Sequence, residues 1–563
     1  MVNGIIEILK KEVGGLHEAA FLLGFFALAS QILALARDRI LAHTFGAGAT
    51  LDVYYAAFRV PDIIFISVAS FVSITVLIPF LSRYLSNDDE VSRKRARDFL
   101  SGVFSIFMMA IIAVSILAFF AMPVLAPLIA PGFSDSQLSD MIFLSRILLL
   151  SPILLGVSNL LGSVTQMFKK FFVYALSPVL YNVGIILGVV FFYPLFGLPG
   201  LAIGVVLGAF IHMLIQVPAV IESGLLPRFS FRVDMQAIRG VILLSLPRTI
   251  TLSSSHLSLI VLIALASTIY HGSISIFNFA FNLQSVPLSI IGVSYSLAAF
   301  PTLAGFFSRG ERDKFSEHIV TAMRHIIFWS LPVTGLFIVL RAQIIRVILG
   351  TGSFSWSDTK LTAAALAVFS VSILAQSAVL LLVRGFYAAG ETKIPLLVNV
   401  ASSAFVIVSS FGLTYAFEQF LPFRYFMESL LRVDGLGGTA ILMLPLSYSF
   451  GMIINAIALW IFFKSRHISA KAYSLSRVMF ESFAATILIG FSSYQFLNIF
   501  DNIFDINTFF GILLQGVFSG VLGIILGIIL LKLLKSKELE DIRAALHKRF
   551  WKTDVIAPEM GEL

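Results

Sequence analysis

Residues 24–62 read GFFALASQILALARDRILAHTFGAGATLDVYYAAFRVPD, an apolar run that carries Arg37, Asp38 and Arg39 inside it and Arg59 soon after. The whole chain shares this apolar character, because 58% of its 563 residues are hydrophobic and only 12% are charged. An ordinary soluble domain has about 25% charged residues. The composition and the mean hydropathy of +0.97 therefore indicate an integral membrane protein.

Apolar runs of about 20 residues, the length at which a helix crosses a hydrocarbon core, recur from one end of the chain to the other. A membrane β-barrel would instead show alternating segments of about ten residues. We therefore predict an all-α integral membrane protein with about fourteen transmembrane helices.

Lysine and arginine are distributed unevenly between the two sets of loops that these spans define. Of the 39 basic residues, 29 fall on the side of the termini, 5 on the other side and 5 within spans. Cytoplasmic loops collect positive charge, so we predict that both termini are cytoplasmic. The net charge of +8 then reflects membrane topology, and we expect no binding of nucleic acid.

Two distant segments of the chain resemble each other. Residues 169–186 read KKFFVYALSPVLYNVGII, and residues 384–401 read RGFYAAGETKIPLLVNVA. Each contains a proline followed four residues later by an asparagine. Many transporters consist of two repeated halves with the substrate site between them, and we predict such a repeat here.

The polar residues of the first predicted span fall on one broad sector of a helix. Arg37 shares a face with Ser30, and Asp38 follows on a neighbouring stripe with Gln31, whereas Arg39 lies about 200° around the helix from Arg37. One interpretation is that Arg37 and Arg59 bind a phosphate-bearing substrate through their planar guanidinium groups. Asp38 and Asp52 would then orient these arginines. The alternative interpretation is a structural ion-pair network near a helix end.

The sequence does not decide the role of two further arginines within predicted spans. Arg146 and Arg248 could either line a cavity or extend to lipid headgroups from a helix end. The segment GAGAT at residues 46–50 lacks the Lys-Ser/Thr ending of a phosphate loop. The chain contains no cysteine, and no histidine and glutamate have metal-ligand spacing. We therefore predict no enzyme site, no metal and no cofactor.

The segments ARDRILAHTFGAGATLDVYYAAFRVPD (36–62) and VRGFYAAGETKIPLLVN (383–399) resemble the MurJ/MviN family of lipid II flippases. The resemblance implies lobes at residues 15–225 (spans 1–6) and 236–465 (spans 7–12), with a central cavity that opens alternately to either side. Two extra spans at 472–534 would form a groove for the lipid tail. The helical spacing of apolar residues after Leu534 predicts that residues 535–563 form a cytoplasmic amphipathic tail.

The resemblance also implies the cargo, which is a polyprenyl-diphosphate-linked saccharide, most simply lipid II, in a bacterial plasma membrane. Membrane lipids and cell-wall synthesis proteins are the expected partners. This chain departs from the family pattern at Gln31, Phe65 and Asn282, where an arginine is usual. The candidate substrate-binding residues are Arg37, Arg59, Asp38, Asp52, Ser30, Gln31, Arg39, Asn282 and Arg248.

Two other functions are compatible with the sequence. The chain could export a different lipid-linked oligosaccharide, or it could be a non-transporting membrane scaffold that kept the fold. A cation antiporter of the same superfamily is less compatible, because antiport requires intramembrane acids and the charges here are mostly basic.

Overall fold

A computed structural model describes residues 16–72, 74–85, 89–230, 234–468 and 475–543. Every regular element within these ranges is a helix, which confirms the predicted all-α class. The α-helices are α1 (Leu16–Phe45), α2 (Ala49–Ala57), α3 (Arg59–Ile64), α4 (Ile74–Tyr84), α5 (Glu90–Ile129), α6 (Asp135–Leu148), α7 (Leu150–Met167), α8 (Phe171–Leu187), α9 (Tyr193–Phe196), α10 (Leu198–Leu214), α11 (Val217–Glu222), α12 (Met235–Ile269), α13 (Ser273–Leu288), α14 (Ser294–Ser308), α15 (Arg312–Val339), α16 (Arg341–Ile348), α17 (Trp356–Ser370), α18 (Ile373–Ala388), α19 (Lys393–Gln419), α20 (Leu421–Leu431), α21 (Met443–His467), α22 (Ser476–Phe500) and α23 (Phe509–Leu533).

Eleven helices of the described residues are long and apolar enough to cross a membrane, or twelve if α17 and α18 together form one span. The multi-span character of the chain is therefore confirmed, whereas the count of fourteen is not. The first predicted span corresponds to α1. The second corresponds to the interrupted run from α2 to α4.

Short irregular helical segments interrupt several of these elements. π-helical turns occupy Phe65–Ala69, Gly188–Phe192 and Ser289–Val293, and a 3₁₀ turn occupies Ser70–Val72. Isolated π turns widen the backbone hydrogen-bonding pattern and often occur near functional sites. The first of them begins six residues after Arg59, within the interrupted run from α2 to α4.

Helix starts follow ordinary capping chemistry in the connecting segments. The Asp89 side chain accepts a hydrogen bond of 2.7 Å from the Ser92 amide at the start of α5. Hydrogen bonds to the ionised carboxylate lower the pKa of Asp89 below its ordinary value. At the start of α6, Ser134 and Gln137 form a reciprocal capping box. These caps fix where the long apolar helices begin.

The chain packs as two compact units. The first comprises Met1–Val286, Ile348–Phe369 and Glu391–Asn455, and the second comprises Pro287–Val347, Ser370–Gly390 and Ala456–Leu563. These units combine segments of the chain differently from the two predicted lobes and do not test them, so the lobes stay a prediction.

Glycine allows two helices of the first unit to approach closely. Helices α8 and α10 meet at Gly184 and Gly208, where a Cβ built on Gly184 would lie 2.2 Å from the Gly208 Cα. Small residues at such a crossing let two membrane helices pack backbone against backbone. This contact positions α8, which supplies one residue of the candidate site.

The two similar segments also share a local hydrogen bond. The Asn182 side-chain nitrogen donates to the Pro178 carbonyl at 3.2 Å, and the Asn399 side-chain nitrogen donates to the Pro395 carbonyl at 2.6 Å. Each asparagine thus adds a side-chain hydrogen bond to the proline carbonyl four residues earlier in its own helix. The sequence similarity therefore has a matching local structure in both segments.

The predicted amphipathic tail is described only at its start. Residues 537–543 are helical, with Leu539 and Ile542 partly exposed. Glu538 in this segment is buried and pairs with Arg324 of α15. The apolar residues that continue the predicted helical spacing, Leu546 and Phe550, lie outside the described residues.

Candidate functional site

Arg37 lies in a hydrogen-bond network between α1 and α8. Its Nε and Nη2 donate to Asp38 Oδ1 at 2.9 Å and 2.8 Å, and its Nη1 donates to Asn182 Oδ1 at 3.2 Å. The Asn182 nitrogen in turn donates to Ser30 Oγ at 3.2 Å. Side-chain exposure is 20% for Arg37 and 4% for Asp38, so the cation remains partly accessible while its counter-ion is buried.

Two asparagines of helix α13 form hydrogen bonds with charged residues of α1 and α3. The Asn282 side-chain nitrogen donates to Asp38 Oδ2 at 3.0 Å. Arg59 donates from Nη2 to Asn278 Oδ1 at 2.6 Å, and Asn278 also donates to the Ile274 carbonyl at 2.7 Å. Asp38 and Arg59 are therefore both tied to the same helix.

Asp52 caps the start of α13, and among the described residues it bonds this helix and no arginine, whereas the sequence predicted that it would orient one. Its Oδ2 accepts from the Gly272 amide at 2.6 Å, and its Oδ1 accepts from the Ser275 amide at 2.8 Å and the Ser275 hydroxyl at 2.6 Å. A carboxylate is favoured there because a helix N-terminus presents unpaired N–H groups and a partial positive charge. The prediction was wrong because α13 offers these donors more than 200 residues later in the chain.

Gly272 makes this contact possible. Its φ of +90° lies in the left-handed region, and a Cβ there would lie only 2.0 Å from the Ala47 carbonyl oxygen. Only glycine combines this backbone conformation with so close an approach. The turn before α13 therefore sits directly on the turn between α1 and α2.

Three contacts follow one face of α13, and we call them the α13 ladder: Asp52 with Ser275, Arg59 with Asn278, and Asp38 with Asn282. The spacing of three and four residues brings successive positions to one side of a helix. The ladder joins residues of the predicted N-terminal lobe to residues of the predicted C-terminal lobe. Both sets belong to the first packed unit.

The other predicted cations lie apart from this cluster. Arg39 donates from Nη1 to the Ile348 carbonyl at 3.2 Å. Arg146 donates from Nε to the Phe119 carbonyl at 3.1 Å, and its guanidinium carbon lies 4.6 Å from the centroid of the Phe119 ring. The side chain of Arg248 lies outside the described residues.

Several residues of the site were not among the candidates. Asn182 accepts a hydrogen bond from Arg37. Tyr55 is buried close to the charges of Arg37, Asp38 and Arg59. Asp62 lies within electrostatic range of Arg59. In the sequence, Asn182 is marked by the proline four residues before it, a spacing that recurs at Pro395 and Asn399. Nothing in the sequence indicated that Arg37 would be its partner.

Two buried polar atoms at this site have no hydrogen bond within the described part of the chain, namely the Arg59 Nε and the Tyr55 hydroxyl. Buried polar groups usually have partners, and unpaired ones are frequent where a ligand or ordered water binds. Gln31 is partly exposed on α1, and Phe65 opens the first π turn. Among the described residues, no group of three or more His, Cys, Asp or Glu side chains could hold a metal ion.

Comparison with known proteins defines the family. A family model described as lipid II flippase MurJ matches residues 41–515, which is most of the chain. The chain belongs to the MurJ lipid II flippase family. This confirms the resemblance drawn from the sequence segments above.

Curated relatives in the MurJ family align over most of their length. A probable lipid II flippase MurJ of Haemophilus influenzae is 28% identical over 417 residues, covering 71% of this chain and 79% of that protein. The lipid II flippase MurJ of Burkholderia cenocepacia is 25% identical over 394 residues, covering 68% of this chain and 76% of that protein.

Solved structures support the same fold. A lipid II flippase MurJ in an inward closed conformation aligns with a TM-score of 0.69 at 21% identity, covering 93% of this chain and all of that chain. An inward-facing multidrug resistance MATE transporter of the MOP superfamily aligns with a TM-score of 0.61 at 16% identity, covering 80% of this chain and 95% of that chain. At these identities the likeness concerns the fold alone.

Proposed function

We propose that this chain translocates lipid II from the cytoplasmic to the outer leaflet by alternating access, acting as a carrier and not as an enzyme. Membership of the MurJ family supports this proposal. The observation that carries it is Arg37, a partly exposed cation held in place by buried neighbours inside an apolar helix. A charge at membrane depth is costly, and it is usually retained for a substrate path.

Arg37 is the primary headgroup contact in this proposal. A guanidinium has five N–H donors, and the described residues engage three of those on Arg37. One N–H on each terminal nitrogen is left for an anionic ligand. A diphosphate suits this pair, because its oxygens can accept parallel hydrogen bonds from a planar guanidinium.

Arg59, Asp38 and Asn282 complete the proposed site together with Ser30, Gln31 and Asn182. Asp52 takes a different role, in which it closes one end of the first unit against the start of α13. During transport the α13 ladder would part, and the headgroup would leave on that side. We place Arg39 at the edge of this region, and we leave Arg248 as a candidate outside the described residues.

The proposed membrane arrangement follows the charge distribution. With both termini in the cytoplasm, the turn between α1 and α2 faces outward, so the ladder closes the outer side. The protein would reside in the bacterial plasma membrane as two lobes with two extra C-terminal spans. Cell-wall synthesis proteins that make or use lipid II are its expected partners.

Complementation of a bacterial strain depleted of its lipid II flippase tests the function. The native chain should restore growth, Arg37→Ala should abolish it, and Arg309→Ala, which alters an exposed arginine of the second unit, should not. Membrane fractionation and immunoblotting would check that each variant inserts equally. Failure of the native chain despite insertion would contradict lipid II transport, and lipids that co-purify with it would reveal another cargo by mass spectrometry.

A further inference from the structure

Helix α20 begins where a candidate span ends. Helix α19 is one of the candidate spans, and only Phe420 separates its last residue from the first residue of α20. With 11 residues, α20 is about 16 Å long, since each helical residue adds about 1.5 Å. It is too short to cross a hydrocarbon core of about 30 Å. It is therefore not a span of its own, and it starts at the end of one.

Of the two charged residues of α20, Glu428 faces the protein, whereas the Arg424 side chain is 42% exposed. The Glu428 carboxylate is buried, with 4% of the residue exposed. It accepts a hydrogen bond of 2.9 Å from Arg424 Nε and one of 2.6 Å from the Thr439 hydroxyl. An exposed helix of a soluble protein would direct such a carboxylate to water.

The outer face of α20 is apolar. Four large side chains project from it, each more than half exposed: Leu421, Tyr425, Phe426 and Leu430. Phe426 and Leu430 lie about 160° around the helix from Glu428, whereas Tyr425 lies about 60° and Leu421 about 20° from it, so the exposed apolar side chains cover the side away from the buried carboxylate and extend to its edge. The exposed strip continues along α19 through Val408, Phe411 and Tyr415, so it extends a surface that already belongs to a candidate span.

Contacts within the first unit place α20 at the end that carries Asp52. The loop after α20 reaches Gly438, and a Cβ on Gly438 would lie 2.9 Å from the Tyr270 Cβ. Tyr270 precedes Gly272, the residue that donates to Asp52. The Lys and Arg distribution predicts that this end faces outward.

We propose that α20 is an interfacial helix whose Leu421, Tyr425, Phe426 and Leu430 face is immersed in the boundary between lipid headgroups and acyl chains. Bilayer lipid is its partner. Tyrosine suits this depth, because its ring is apolar and its hydroxyl stays close to water. Glu428 is buried and pairs with Arg424, so no carboxylate of α20 faces lipid, and the Arg424 side chain, 42% exposed, can extend toward the headgroups.

Fluorescence from single cysteines tests this placement, and the chain is suited to it because it contains no native cysteine. Tyr425→Cys and Leu430→Cys would each be labelled with an environment-sensitive nitrobenzoxadiazole probe. Asp434→Cys, an exposed position in the loop after α20, is the matched control. The labelled proteins would be reconstituted in vesicles of phosphatidylethanolamine and phosphatidylglycerol that contain spin-labelled lipid.

We expect blue-shifted emission at positions 425 and 430, with about twofold or greater quenching by a spin label near the headgroup than by one at the chain end. The probe at position 434 should emit as in water. Water-like emission at both 425 and 430 would overturn the proposal. Blue-shifted emission that no lipid spin label quenches would also overturn it, since a protein surface would then cover the face. Elution of each variant as a single symmetric peak in detergent checks its fold.

Discussion

Replacing Asp52 by asparagine should open the α13 ladder at its first contact. The native carboxylate accepts three hydrogen bonds, one at Oδ2 from Gly272 and two at Oδ1 from Ser275. An amide has one acceptor oxygen, so the substituted side chain can keep the two Ser275 bonds only by turning its NH₂ group toward the Gly272 N–H. The variant thus loses one charge-assisted hydrogen bond and places two donors against each other.

A hydrogen bond to a charged group contributes about 1.5–3 kcal/mol. Since 1.4 kcal/mol corresponds to a tenfold change in an equilibrium constant, the open population should rise by roughly 10-fold to 150-fold. Asp52 is 2% exposed, so solvent does not screen this loss. If opening is rare in the native chain, any reaction that requires the open state should accelerate by the same factor.

Labelling of a cysteine beside the ladder measures this population. Ile276→Cys places the thiol next to Ser275, at a position that is 2% exposed. A membrane-impermeant maleimide should label it roughly 10 to 150 times faster in the Asp52→Asn background. Asp135→Asn, which removes an exposed carboxylate from the first turn of α6, should leave the rate unchanged. Equal labelling rates with and without the Asp52→Asn substitution, in proteins that bind cargo equally, would refute the closing role of Asp52.

Two substitutions probe the cargo end of the same network. Asn182→Ala removes the acceptor that holds Arg37 Nη1 and the donor to Ser30, so binding of a lipid-linked diphosphate should weaken by up to about 10-fold to 150-fold, the value of one hydrogen bond to a charged group. Native mass spectrometry of the complex would measure it, and Asn399→Ala, which removes the equivalent bond to Pro395, should leave binding unchanged. Asn282→Arg adds a second guanidinium beside Asp38 and should tighten binding in the same assay, whereas unchanged or weaker binding by a correctly folded variant would contradict a diphosphate site there.

The fold class and the importance of the first hairpin could be predicted from the sequence, because both depend on properties of short segments. An apolar run of about 20 residues indicates a spanning helix wherever it occurs. Helical periodicity placed Arg37 and Asp38 beside Ser30 and Gln31 and away from Arg39. In the structure Arg37 contacts Asp38 and Asn182, while Arg39 reaches the Ile348 carbonyl.

The partners of these charges could not be predicted, because they come from helices far away in the chain. Arg37 and Asn182 are 145 residues apart, and Asp52 and Ser275 are 223 residues apart. Periodicity orders residues around one helix but does not say which helix it faces. Asp52 was therefore predicted to serve an arginine of its own hairpin, although the free N–H groups at the start of α13 are equally suitable partners for a carboxylate.

Asp38 connects the two parts of the site. One oxygen of its carboxylate holds Arg37, and the other accepts from Asn282 of the α13 ladder. On the function proposed above, a diphosphate binds the two N–H groups that Arg37 has left and so weakens the attraction between its guanidinium and Asp38. Any shift of that carboxylate changes the strength of its bond to Asn282, so cargo binding and opening of the ladder act on one group. Such sharing gives the coupling that alternating access requires, because a ligand shifts an equilibrium only through contacts that differ between the two states.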